Sequence, residues 1–156
     1  MNSFADKEGF QLKKKADNED KNKEPNLNTY NLRGRDRIKG AISGSIFKST
    51  IDTTHPLAFG YDKNYFSLKN SSNAYELLEK GVNVGYFAEG SKNISGFAGM
   101  TAAEKVPNSL LFGVENKGKG RIIYMVDNPL YRSFWENGKL FFVNAIFFVN
   151  NNKFRI

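Results

Sequence analysis

Apolar residues are sparse over the first 28 positions and dense after them. From Asp6 to Asn28 the chain is mostly Lys, Asp, Glu and Asn, with no aromatic or β-branched residue after Phe10. Such a stretch buries too little apolar area to offset its ordering entropy, so residues 1–27 are expected to form a polar, mobile lead-in. The run Lys13, Lys14, Lys15 is followed by Asp17, Glu19 and Asp20, and these mixed signs suit a solvated linker better than a basic arm. Residues 28–156 are expected to form a single α/β domain or the C-terminal part of one.

Within that region the pattern alternates between helix-like and strand-like stretches. Asn28 to Lys39 predicts a short helix capped by Asn28 and weakened by Gly34. Ile42 to Ile51 is rich in β-branched residues and predicts a strand, and Thr53-Thr54-His55-Pro56 then signals a turn. Tyr65 to Leu68 predicts a second short strand. Ala74 to Lys80 predicts a helix stopped by Gly81, and Val82 to Phe87 a strand. Gly90 to Met100 reads as a glycine-rich loop and Thr101 to Lys105 as a helical turn. Leu110 to Val114 and Arg121 to Val126 flank Glu115 to Gly120 and predict a β-hairpin with a longer loop. Asp127-Asn128-Pro129 carries a helix-start signal. Gly138 is expected to separate a short first helix from a buried one over Lys139 to Val149, where a buried strand is the alternative.

Composition narrows the chemistry more than it directs it. The chain has 156 residues, enough for one core, and 14 Phe with 7 Tyr can fill it. With no Cys, thiolate metal sites, disulfides and cysteine nucleophiles are excluded together. The longest apolar run, Leu140 to Val149, is broken by Asn144 and falls short of a membrane span, and charges at Asp6, Lys7 and Glu8 occupy the place of a signal peptide's apolar stretch. The net charge of +7 invites a phosphate partner, but the excess is divided thinly between the first 40 residues and the rest. That distribution speaks against a nucleic-acid stripe.

The sequence holds no recognisable catalytic set. His55 is the only histidine, which excludes a two-histidine zinc site within this chain. Gly113 to Lys119 fits the first seven positions of a phosphate loop, but Gly120 stands where a hydroxyl is required and both flanks read as strands. Ligand or partner contacts are best sought on loops at strand ends: His55 and Tyr61, the Glu89 to Gly99 loop, and Asp127 with Arg132. An aspartate at a helix start and an arginine one turn on can bind each other or a ligand anion.

Several runs, taken in order, resemble a known family: Gly44-Ser-Ile-Phe47, Thr54-His-Pro-Leu-Ala-Phe-Gly-Tyr61, Asn83-Val-Gly-Tyr86, Gly118-Lys-Gly120, and Asp127-Asn-Pro-Leu-Tyr-Arg-Ser-Phe-Trp135 followed by Asn144-Ala. Over about residues 28 to 150 they are similar to the C-terminal part of bacterial zinc carboxypeptidases, where a class I glutamine amidotransferase-like domain follows the metallocarboxypeptidase domain. The resemblance implies a partial flavodoxin-like sheet whose opening parallel units would lie upstream of Met1, with a C-terminal hairpin and a final buried helix. It implies a non-catalytic accessory domain that supports or positions the peptidase or its substrate. Zinc would reside only in the peptidase domain, whose His-x-x-Glu motif this sequence lacks, and longer family members would be exported. The alternative reading of the residues is a free-standing module binding a small anion or nucleic acid.

Overall fold

The computed structural model describes residues 9–16 and 29–149. The polar segments 1–8 and 17–28, with the proposed Asn28 cap, and residues 150–156 lie outside the described residues. Helix α1 spans Tyr30–Lys39 and presents no buried side chain. Six strands follow: β1 (Ile42–Ile51), β2 (Asn64–Lys69), β3 (Val82–Phe87), β4 (Asn93–Ala98), β5 (Ser109–Lys117) and β6 (Gly120–Met125). The short helix α2 (Met100–Ala103) lies between β4 and β5, and α3 (Glu136–Phe147) closes the described chain.

All strand pairs are antiparallel, in the order β2-β1-β3-β5-β6. The expected flavodoxin-like sheet is therefore wrong, because a parallel sheet needs crossover connections and none joins these strands. Long β1 is the organising element. β2 lies along one of its edges, while the other is divided between β4, paired from Ile42 to Phe47, and β3, paired at Thr50 and Ile51. Register irregularities between Ile42 and Ser45 and between Asn83 and Tyr86 bend the ladders.

The sheet curls into a half-barrel. β2 and β5 stand three strands apart, roughly 14 Å in a flat sheet at normal spacing. Yet the rings of Tyr65 on β2 and Phe112 on β5 meet at 5.5 Å between centroids. The hollow is filled by Phe47, Ile51, Leu57, Val84, Phe87 and Leu111, with Phe141 of α3 inserted against Tyr65 and Phe112. A smaller cluster of Tyr75, Leu78, Leu110 and Tyr124 is joined by Leu12. Residues 13–15 are held to this part of the molecule by an isolated bridge between Lys14 and Tyr75.

Other local expectations change as well. Ala74 to Lys80 forms no helix; Ala74 and Glu76 exchange backbone hydrogen bonds with residues 13 and 15. Within this extended segment Tyr75 and Leu78 both turn into the small cluster. Gly90 to Met100 is not a loop throughout: it contains β4, which pairs with distant β1. The hairpin turn is tight, since Lys117 pairs with Gly120 and only Gly118 and Lys119 intervene. Gly118 takes a positive φ that suits this turn.

No α-helix begins at Asp127-Asn128-Pro129. The Asn128 side chain accepts from the Leu130 backbone N–H at 2.9 Å, and a 3-10 turn covers Tyr131–Ser133. Gly138 lies inside α3 rather than between two helices. A Cβ there would come within 2.1 Å of the Pro129 carbonyl oxygen, so only glycine lets the helix approach so closely. The expected buried helix is half right: Phe141 and Asn144 are buried, but Phe142, Val143, Ile146 and Phe147 are exposed.

Candidate functional site

Polar groups gather at the seam where the two ends of the curled sheet approach. On β2, Tyr65, Ser67 and Lys69 alternate inward, facing Ser49, Phe47 and Ser45 of β1. Asp127, two residues past β6, reaches across to this row. Its carboxylate accepts from the Ser67 hydroxyl at 2.8 Å and from the Lys69 ammonium at 3.2 Å. Lys69 is 1% exposed and Asp127 7%, so both charges are withdrawn from water and compensated by each other. The Lys69 ammonium also stands 5.9 Å from the Phe87 ring centroid. The arrangement ties β2 to the exit of β6 and completes the half-barrel through side chains.

Asp127 and Arg132 are not brought together. Arg132 is exposed, adopts a positive φ of 49° and stacks its guanidinium over the Tyr131 ring at 5.2 Å. The Asp127 charge is answered from β2, by residues about sixty positions earlier in the chain.

Tyr61 is an anchor for α3. Its hydroxyl donates to the Asn137 carbonyl at 2.9 Å and accepts from the Phe141 N–H at 3.0 Å, while its ring stacks on Phe141 at 3.9 Å between centroids. Burial pushes the Tyr61 hydroxyl up to about 12. Burial likewise raises the neighbouring Tyr65 hydroxyl above the ordinary phenol range, opposed by the nearby Trp135 indole.

His55 begins the 3-10 turn over Pro56–Ala58. Its Nδ1 accepts from the Leu57 N–H at 3.1 Å, which leaves Nε2 as the proton-bearing nitrogen of the neutral ring. Burial holds its pKa below the usual histidine value; the Arg121 charge adds to this, and Asp52 opposes it. His55 borders a cavity of about 120 Å³ with Asn116, Arg121, Val82 and Val114. Arg121 donates to the Val149 carbonyl and so connects that cavity to the end of the α3 region. Glu89 lies exposed in the turn after β3, apart from these groups.

Two polar arrangements escaped the sequence reading because their members are remote in the chain. The Lys15 ammonium donates to the Pro107 carbonyl at 2.7 Å and to that of Lys105 at 3.2 Å, and burial lowers its pKa. The Tyr124 hydroxyl donates to Glu115 and accepts from the Gln11 N–H at 3.3 Å. No sequence signal links a tail residue such as Gln11 or Lys15 to these partners. Among the described residues, no group of three or more His, Asp or Glu side chains is placed to hold a metal. No helix among them is long and apolar enough to cross a membrane.

Comparison with protein-family models, with curated proteins and with solved structures gives no match to this chain.

Proposed function

We propose that this chain is a non-catalytic accessory domain that docks on a zinc carboxypeptidase domain through the outer face of α3. The observation that carries the reading is the apolar stripe on that face. Phe142 with Ile146 and Val143 with Phe147 are each four residues apart, so the four lie side by side on the helix. Ile146 is 56% exposed and Phe147 67%. Phe59 and Phe148, in ring contact at 5.4 Å, extend the apolar surface beside them.

Contiguous apolar surface of this kind is a marker of contact with another protein. The class of partner comes from the resemblance of Asp127 to Trp135 and the preceding runs to the C-terminal part of zinc carboxypeptidases. In this reading the chain contributes contact and orientation, and the bond-breaking groups belong to the peptidase.

The test is sedimentation velocity of the chain mixed with a zinc carboxypeptidase domain encoded by the same genome. A one-to-one complex is expected with the wild type, lost on Ile146→Gln with Phe147→Gln. The absence of a complex, or a complex indifferent to both substitutions, would refute the proposal.

A further inference from the structure

The turn that follows β1 is where the end of α3 is fastened, and one titratable ring closes that turn. The Asn144 amide of α3 donates to the Leu57 and Phe59 carbonyls at 3.0 and 2.8 Å. Phe148, one residue past α3, meets the Phe59 ring. Both carbonyls belong to the turn that His55 opens, and Leu57 is wholly buried in the core. The Leu57 N–H donates to His55 Nδ1 at 3.1 Å, a bond that Nδ1 accepts only while it carries no proton.

A second tie of the same helix passes beside the ring. His55 and Arg121 line one cavity of about 120 Å³, and the Arg121 guanidinium donates to the carbonyl of Val149, two residues past α3. The charged groups facing His55 are Arg121 on β6 and Asp52 just after β1. The Asp52 carboxylate already accepts from the Thr54 N–H at 3.0 Å and from its hydroxyl at 2.6 Å. The other residues lining the cavity, Pro56, Gly81, Val82, Val114 and Asn116, carry no charge.

We propose that protonation of His55 releases the C-terminal half of α3 from the half-barrel, so that the turn works as an acid-opened latch. An imidazolium bears hydrogen on both nitrogens, so its Nδ1–H and the Leu57 N–H face each other as two donors. The new charge also stands beside Arg121, which it repels. The turn then relaxes, the Leu57 and Phe59 carbonyls leave Asn144, and the Arg121 tie to Val149 loosens with them. The first turns of α3 stay attached, because Tyr61 holds Asn137 and Phe141 through a hydroxyl that does not titrate in acid. The latch involves this chain alone and does not depend on any partner.

Burial keeps the pKa of the latched ring below its usual value of about 6.5. The released ring takes up the proton more readily, so release grows as pH falls below about 6.5 and levels off once the latched ring itself is protonated.

The experiment follows the full chain by ring nuclear magnetic resonance and by amide exchange from about pH 7.5 to about pH 5. His55 is the only histidine, so its ring signals are unambiguous. The neutral ring is expected to carry its proton on Nε2 and to titrate below about 6.5. The reference is the Val126 N–H, bonded to Leu111 just past β6. Relative to it, protection of the amides from Asn144 to Phe148 is expected to fall by up to about tenfold per pH unit, the limit for one linked proton. His55→Asn keeps an oxygen acceptor at the cap without a titrating ring, and is expected to hold that ratio constant.

A constant ratio in the wild type, a fall that persists in His55→Asn, or a neutral ring protonated on Nδ1 would overturn the proposal. Should His55→Asn fail to fold, Asp52→Asn decides, since it removes the opposing charge and keeps an oxygen for Thr54. The fall is then expected to level off at lower pH, in step with a lower titration of the ring; levelling that ignores the ring overturns the latch.

Discussion

The two faces of α3 are made of the same kinds of residue and have opposite fates. Phe141 on the inner face is fully buried, stacked on Tyr61 and wedged against Tyr65 and Phe112. Phe142, the next residue, stands exposed with Val143, Ile146 and Phe147. Even polarity is inverted, because Asn144 is buried while its apolar neighbours face water. Its amide nitrogen donates to the Leu57 and Phe59 carbonyls at 3.0 and 2.8 Å, locking the helix onto the turn that follows β1. The inner face has spent its chemistry on the fold; the outer face stays exposed among the described residues.

This contrast is broken most severely from the inside. Phe141→Ala removes the ring that joins α3 to β2 and β5, and is expected to destabilise the protein by about 3–5 kcal/mol in urea unfolding. Asn144→Ala strips the buried Leu57 carbonyl and the half-buried Phe59 carbonyl of their donor and is expected to cost about 2 kcal/mol by the same measurement.

The alkaline response of Tyr61 sharpens the comparison further. Its hydroxyl holds its proton to about 12 when folded, against about 10 as a free phenol. The unfolded chain therefore loses the proton first, and stability is expected to fall as pH rises from 10 towards 12. Tyr61→Phe should reduce that slope in urea midpoints measured across the window, with Tyr65 and Tyr124 supplying what remains. The smallest effect on folding belongs to the outer face. Ile146→Gln with Phe147→Gln is expected to change stability by no more than about 0.5 kcal/mol, while abolishing association.

Where local pattern and local structure coincide, the sequence was legible. The β-branched residues of Ile42 to Ile51, Val82 to Phe87 and Arg121 to Val126 mark strands that the sheet contains. What failed depended on contacts between distant residues. β4 lies within the glycine-rich stretch Gly90 to Met100, and it is held in the sheet by its pairing with β1. The segment after Ala74 has helical spacing but is drawn out by residues 13–15. Strand direction was misjudged because the resemblance to amidotransferase-like domains implied parallel units.

The candidate residues divide in the same way. Asp127 was visible as a special residue, yet its partners Ser67 and Lys69 come from another strand rather than from the nearby Arg132. Tyr61 and His55 were singled out for loop position, and the fold uses both to organise turns and helix contacts.

The most direct measurement is methyl nuclear magnetic resonance of the chain during titration with the zinc carboxypeptidase domain. The account predicts that the methyl signals of Val143 and Ile146 move while those of buried Val149 hold their position. Unmoved Val143 and Ile146 signals, or shifts confined to exposed Ile94 on β4, would contradict it.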